Sequence, residues 1–292
     1  MVDPLAVLNA VAAGIMLGGF YAAVALGIAI AFGMLDIPNL SHPAFVVAGA
    51  FSTWQLNSRL GLDPVAAGVV MAPAFFLLGW LIYRLYHVCF ERRGEAALQG
   101  LAFFFGLLFI TEVALVLTAG ADYRSVVARY IGASVTVAGI TMPQRMLVPF
   151  VVSLAMIVVL HQFLRRTFTG RAIQAVAQDQ TALRLMGVGP ERIKGFAFGL
   201  ATATASIAGA LLIIIEPVEP SIGREFIGRA FAAVVLGGMG SFYGMLLASI
   251  LLGITESIVS DMWNPSWAPA IAFGFLLPTL AFRSGGLLGR RL

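Results

Sequence analysis

The sequence predicts an all-α, polytopic integral membrane protein with about eight to ten transmembrane helices, one of them a broken or re-entrant glycine-rich segment. Three observations predict it. Hydrophobic residues make up 60% of the chain and charged residues 11%, with a mean hydropathy of +0.95, far above a soluble domain. Apolar runs near the length that crosses about 30 Å of hydrocarbon recur from end to end. Basic residues gather in a few short stretches between those runs. No soluble unit separates from the pattern, so residues 1–292 read as one membrane domain carrying a cytoplasmic loop at 165–194.

The first run, 8–33, precedes the first basic residue, Arg59; without the positive region of a secretory signal it reads as a retained span. Further runs bounded by charges or by Pro and Gly follow at 42–57, 64–83, 97–118, 146–164 and 195–215. The next, 227–238 within FIGRAFAAVVLGGMG, is too short to cross alone and reads as a re-entrant half-span or a broken helix packed inside protein. Runs at 243–259 and 268–282 complete the set.

Arg84, Arg92 and Arg93, then Arg165, Arg166, Arg171, Arg184, Arg192 and Lys194, then Arg283, Arg290 and Arg291 account for twelve of the eighteen basic residues. Arg59, Arg124, Arg129, Arg145, Arg224 and Arg229 fall in the alternating segments. The positive-inside rule makes the richer side cytoplasmic, with the C-terminus inside and, for nine crossings, the N-terminus outside. This bias accounts for the net charge of +4 without a nucleic-acid partner. The single cysteine, Cys89, excludes an internal disulfide and a cysteine-based metal site.

The cytoplasmic stretch GRAIQAVAQDQTALRLMGVGPERIKGFAF, 170–198, has helix punctuation at both ends. From Arg171 to Met186 one helical face carries Ala172, Ile173, Val176, Leu183 and Met186, and the other Arg171, Gln174, Gln178 and Thr181. Gly187 suits a C-terminal stop, and Pro190 with Glu191 suits the first turn of the next helix. A short amphipathic helix with an exposed apolar stripe is expected to dock onto another surface. Lys194, the only lysine, lies between Ile193 and Gly195, so no Walker-type phosphate loop exists. HExxH and GxSxG are absent, and His42, His87 and His161 are not spaced as a metal cluster, so the chain is expected to be non-catalytic.

Polar residues inside spans are candidates for the path. Glu112 sits near the middle of LLFITEVALVLTAG, where a charged carboxylate facing lipid costs about 2.5–3.5 kcal/mol, so it must face protein or water or stay protonated. Glu256 in GITESI poses the same choice with a stronger lean to packing, and His42, one turn from Asn39, suits a bend contact better than a ligand. The pairs Gly14 and Gly18, Gly195 and Gly199, and Gly240 and Gly244 allow close helix approach. The dense run LGGMGSFYG, 236–244, is expected to break a span, and leucine at Gly237 and Gly238 to block transport while leaving assembly intact.

Three motifs resemble the permease subunits of bacterial branched-chain amino acid ABC importers, a family that also has urea, amide and sugar members. LGGFYAAVALGIAIAFGMLDIPNLSHPAFVVAGAF, with Asn39 and His42, is similar to the family's first two helices; TGRAIQAVAQDQTALRLMGV to its ATPase-contacting loop; and AFAAVVLGGMGSFYGMLLASILLGITES to its glycine-rich broken-helix region. Pro38, Pro43, Ala44 and Asp36 depart from that pattern, as does the tail FRSGGLLGRRL, which lacks a proline after its first arginine. The resemblance implies a coupling helix at 170–187, with Gly170, Arg171, Ala177, Asp179 and Gly187 as ATPase-docking positions. Asn39, His42, Glu112, Gly237, Gly238 and Glu256 are the tentative translocation-path residues. It further implies a multi-pass protein of the bacterial inner membrane, paired with a second permease chain or a copy of itself. Two nucleotide-binding ATPase subunits holding ATP and Mg and a periplasmic substrate-binding protein complete the expected assembly, with no cofactor in this chain. The loops Asp122 to Arg145 and Glu216 to Arg229 would receive the binding protein, and the first expected cargo is a branched-chain or other hydrophobic amino acid. The alternative is a proton-coupled secondary transporter or channel using Glu112, Asp36 and His42; a membrane scaffold without transport would leave the broken glycine-rich span unexplained.

Overall fold

The computed structural model describes residues 4–93, 96–137, 139–282 and 286. Among them, helices fall on each of the nine apolar segments: α1 Pro4–Ala31, α2 His42–Leu60, α3 Pro64–Cys89, α4 Ala96–Ala119, α5 Gln144–Arg166, α8 Pro190–Ile215, α9 Gly223–Gly237, α10 Phe242–Met262 and α11 Ala268–Phe282. The short helices α6 Phe168–Gln178 and α7 Gln180–Leu185 lie between α5 and α8. Six helices are long and apolar enough to cross a membrane: α1, α3, α4, α5, α8 and α10. Helix α2 is more polar, and α9 and α11, at 15 residues each, span only about 22 Å.

Local chemistry sets the helix ends. Asp63 accepts from Val65 N at 2.9 Å and Pro64 opens α3, whereas Gly61, at φ +63, closes α2. Ser241 accepts from Gly244 N at 3.1 Å and caps α10. After α1 the chain turns through an irregular stretch, with Asp36 at φ +56, and Asn39 Oδ1 accepts from Ser41 N (3.1 Å) and Ser41 Oγ (2.6 Å) just before α2 begins.

Helices α1 and α8 form the inner layer: 83% of each spanning window is buried, against 17% for α4 and 28% for α3 and α5. Small residues bring the backbones together. A Cβ on Gly18 would sit 2.5 Å from Ile250 Cα and one on Gly14 2.5 Å from Ile254 Cα, where α1 crosses α10. A Cβ on Gly209 of α8 would meet Ala50 N of α2 at 2.5 Å, and one on Gly199 would meet Phe76 O of α3 at 2.8 Å.

One end of the bundle carries α6, α7, the 3-10 turn Glu91–Arg93 and the ends of α3, α5 and α8, together with the basic cluster. Arg283, Arg290 and Arg291 lie outside the described residues. The other end carries a hairpin that the sequence reading treated only as loop: β1 Ser134–Val137 pairs antiparallel with β2 Ile140–Pro143, Val135 opposite Met142. Thr141 N donates to Asn9 Oδ1 at 3.0 Å, and Arg124 bridges to Val218 through both backbone bonds, 2.8 and 2.9 Å. Four-residue strands leave too short an alternation to stand out from an apolar background.

Two expectations change. Glu216 to Arg229 is not one outer loop: only 216–222 is non-helical, and Gly223 opens α9 against Pro43 and Val47. That level is inside the bundle, since Gly209, packed on Val46 and Ala50, lies six residues or about 9 Å short of the end of α8. The glycine run does not interrupt a helix but turns α9 into α10: Gly238 (φ +97) and Gly240 (φ +83) adopt left-handed conformations, and a Cβ on Gly237 would meet Gly244 C at 2.5 Å. Leucine at Gly237 would force the two helices apart, so transport and assembly cannot be separated there.

Gly18→Leu is expected to destabilise the detergent-solubilised protein by about 1–3 kcal/mol or more through overpacking, whereas Gly106→Leu, with nothing within 4 Å of its Cβ, leaves thermal unfolding unchanged. Parallel melting curves of the two variants check this.

Candidate coupling surface and intramembrane charge pairs

Thr167 Oγ1 accepts from Gly170 N at 3.0 Å and caps α6. Gly170 is buried, and its Cβ would lie 2.5 Å from Leu164 Cα, so this glycine lets α6 pack on the end of α5. Gln174 Nε2 donates to Leu164 O at 3.3 Å across the same contact. The apolar face expected to meet a partner is partly spent inside this chain: Ile173, Val176 and Leu183 are buried in its own core. Arg171, Ala177, Asp179 and Gly187 are exposed, as are Phe168, Arg184, Leu185 (85%) and Met186.

The expected single helix over 171–186 is two. Asp179 takes extended backbone (φ −155), ends α6 through its N–H to Ala175 O at 3.0 Å, and its carbonyl accepts from Leu183 N at 3.3 Å. The break turns α7 so that Leu183 stays inside while Met186, expected on the same face, points out. Gly187, at φ +79, closes α7, with its N–H on Arg184 O at 3.0 Å and Val188 N on Leu183 O at 3.1 Å.

Lys194 is 5% exposed at the start of α8 and pairs with Glu91 of the 3-10 turn. Glu91 Oε2 also accepts from Tyr83 OH at 2.9 Å and bonds His87 Nδ1 at 2.8 Å. Burial pushes the Glu91 carboxyl up, but Lys194, His87 and Tyr83 outweigh it and hold it below the usual carboxylate range. A cavity of about 590 Å³ adjoins the cluster, lined by His87, Glu91, Arg92, Arg184, Glu191 and Lys194 among others. Sequence reasoning missed this junction; a lone lysine at the mouth of an apolar span was the available signal.

The tentative path residues do not converge. Asn39 and His42 are fully buried; the backbones of α1 and α8 close around His42, since a Cβ on Gly27 would meet its Nε2 at 2.5 Å and Ala201 O at 2.7 Å. Asn39 Nδ2 and both His42 ring nitrogens lack a hydrogen bond of good geometry, although the Val24 carbonyl lies within electrostatic reach of the ring. Glu112 is bound twice over by Arg224, with Nη2 at 2.7 and 2.8 Å and Nε at 3.0 Å. Glu256 is 2% exposed, accepts from Tyr21 OH at 2.5 Å, and takes Arg229 Nε at 3.2 and 3.3 Å. Gly237 and Gly238 belong to the α9–α10 turn. Asp36, at an exposed loop tip, shares no partner with Glu112 or His42. The arginines were the unread half of these pairs: an Arg and a Glu in separate spans each demand a counter-charge.

Residues 10–280 match the family described as "Branched-chain amino acid transport system / permease component". The chain is similar to the high-affinity branched-chain amino acid transport system permease protein BraD of Pseudomonas aeruginosa, 28% identical over 95% of this chain and 94% of that protein. It is 27% identical to the corresponding protein LivH of Escherichia coli K12, with the same coverage, and 27% identical to LivM of that organism over 92% of this chain and 67% of LivM.

The two partners of the Lys194–Glu91 ion pair are unequally buried, 7% exposed at the Lys194 side chain and 20% at Glu91, so their removal is expected to differ. Glu91→Leu strands a buried ammonium and should cost about 3–5 kcal/mol. Lys194→Met leaves Glu91 two donors and should cost nearer 1–2 kcal/mol. Denaturant titration of the two variants in detergent reads the difference, and equal costs would refute the assignment.

Proposed function

Because the chain belongs to the family of branched-chain amino acid ABC transport permeases, we propose that it forms the membrane path of an ATP-driven importer of a small solute. A branched-chain or other hydrophobic amino acid is the first expected cargo. The chain supplies no catalytic group of its own; ATP and Mg belong to two nucleotide-binding subunits, and cargo arrives from a periplasmic binding protein at the bacterial inner membrane. Similarity to both LivH and LivM supports a paired permease, with a related chain or a second copy as the partner.

The observation that carries this reading is the α6–α7 unit, which is anchored at both ends and exposed along its outer edge. Gly170 seats it on Leu164 of α5, and the Lys194–Glu91 pair holds the start of α8 to the turn after α3. A lever anchored in this way transmits displacement that a slack loop would absorb. Its outer edge offers Arg171, Ala177, Asp179, Leu185 and Met186 to an ATPase, while Gly170 and Gly187 serve by shaping the unit.

Arg171→Glu combined with Asp179→Arg, or Leu185→Asp combined with Met186→Asp, should lower co-purified ATPase at least tenfold when the chain is expressed with its genomic neighbours, with membrane insertion unchanged. Pull-down followed by ATPase assay measures it. If wild-type chain never recovers an ATPase, a proton-coupled carrier becomes the better account.

A further inference from the structure

Helix α9 starts below the outer end of the bundle, and its first turn carries a charge, Glu225, that the described residues leave exposed. The Glu225 side chain is 65% exposed, whereas that of Arg229, one turn on, is 11% exposed. Charges at this depth are disfavoured against hydrocarbon, so Glu225 borders water or protein. Arg229 is held by groups behind it. Its Nε donates to both oxygens of the buried Glu256, Tyr21 OH braces that carboxylate at 2.5 Å, and the guanidinium lies 5.8 and 5.6 Å from the ring centres of Tyr21 and Phe226. Toward the open side, Nη1 donates to Glu225 O at 3.2 Å and lies 3.8 Å from the Glu225 carboxylate, while Nη2 makes no hydrogen bond among the described residues. A fixed, largely buried cation whose Nη2 has no hydrogen bond among the described residues therefore stands beside an exposed carboxylate that it does not fully engage.

We infer that Glu225 and Arg229 form a head-group site in the translocation path for a zwitterionic α-amino acid. The Glu225 carboxylate takes the α-ammonium and the outer edge of the Arg229 guanidinium takes the α-carboxylate. The inference rests on the amino-acid cargo proposed above. Charges of both signs suit a zwitterion, whose carboxylate meets Arg229 and whose ammonium meets Glu225, with the Glu216 carboxylate close enough to act on both. Glu256 and Tyr21 act as positioning residues, aiming the guanidinium outward, and Glu256 itself does not meet cargo. The loose 3.8 Å contact fits this role: a closed bidentate pair, such as Arg224 makes with Glu112, would leave neither partner available.

The test uses the complete transporter in proteoliposomes, assayed for leucine uptake with saturating binding protein. Glu225 is exposed, and Arg229 keeps Glu256 when Glu225 is changed, so its variants keep the fold. Glu225→Gln should lower uptake at least fivefold with co-purified subunits unchanged, and Glu225→Asp should retain most of it. On a Cys89→Ser background, Glu225→Cys should react with a sulfonate-bearing, membrane-impermeant thiol reagent at least tenfold faster than Ile110→Cys on the outer face of α4, and leucine should slow the reaction. If wild type takes up leucine but Glu225→Gln does so equally, or Glu225→Cys is as inert as Ile110→Cys, the head-group site is overturned and the importer reading stands. If wild-type transporter takes up no amino acid, the cargo reading fails and this assignment with it.

Discussion

Helix α8 meets α2 and α3 at backbone distance, and the placement of the other helices follows from that contact. Lipid tails are as apolar as leucine, so helices in a bilayer gain little by hiding apolar surface and associate through close packing instead. Gly209 lets α2 approach to backbone distance, Gly199 does the same for α3, and Ala201, Ala205 and Ala208 are all enclosed. Gly14 and Gly18 repeat the device between α1 and α10. With α1 and α8 innermost, the start of α2 is shut between them, which explains why Asn39, Ser41 and His42 are buried although polar.

Close packing dictates what charge does in this molecule. The acidic groups in or beside the spans that have strong partners tie separate elements together. Arg224 and Glu112 join α9 to α4, the least buried span; Arg229, Glu256 and Tyr21 join α9 to α10 and α1; Lys194 and Glu91 join α8 to the turn after α3. Such pairs add little net stability relative to apolar packing, yet removing one partner is expensive. Their effect is to specify which helices lie together, where apolar surfaces alone would allow sliding.

The nine apolar segments, the polar loop at 165–194 and the close approach at Gly14 and Gly18 were legible because each obeys a local rule: hydrocarbon thickness fixes span length, Pro and Gly mark ends, and small residues four apart mark close approach; Gly240 lies in the turn before α10 and makes no such approach. The loop reading failed where two surfaces competed for one stripe. Ile173, Val176 and Leu183 have the periodicity of a docking face, and the chain's own α5 and α8 claim it, leaving Leu185 and Met186 outside. Periodicity states that a face will be covered and is silent about which surface covers it.

By itself the sequence determined the class of the protein, the places of its helices, the polarity bias of its loops and its family resemblance, because composition and spacing act over one or two turns of chain. Only the tertiary structure decided which charges pair. Tyr21 and Glu256 are 235 positions apart, Glu112 and Arg224 are 112, and Glu91 and Lys194 are 103. No local rule links such positions; they meet because backbone contacts along α1 and α8 set the helices side by side, and a bilayer leaves a charge little else to bind.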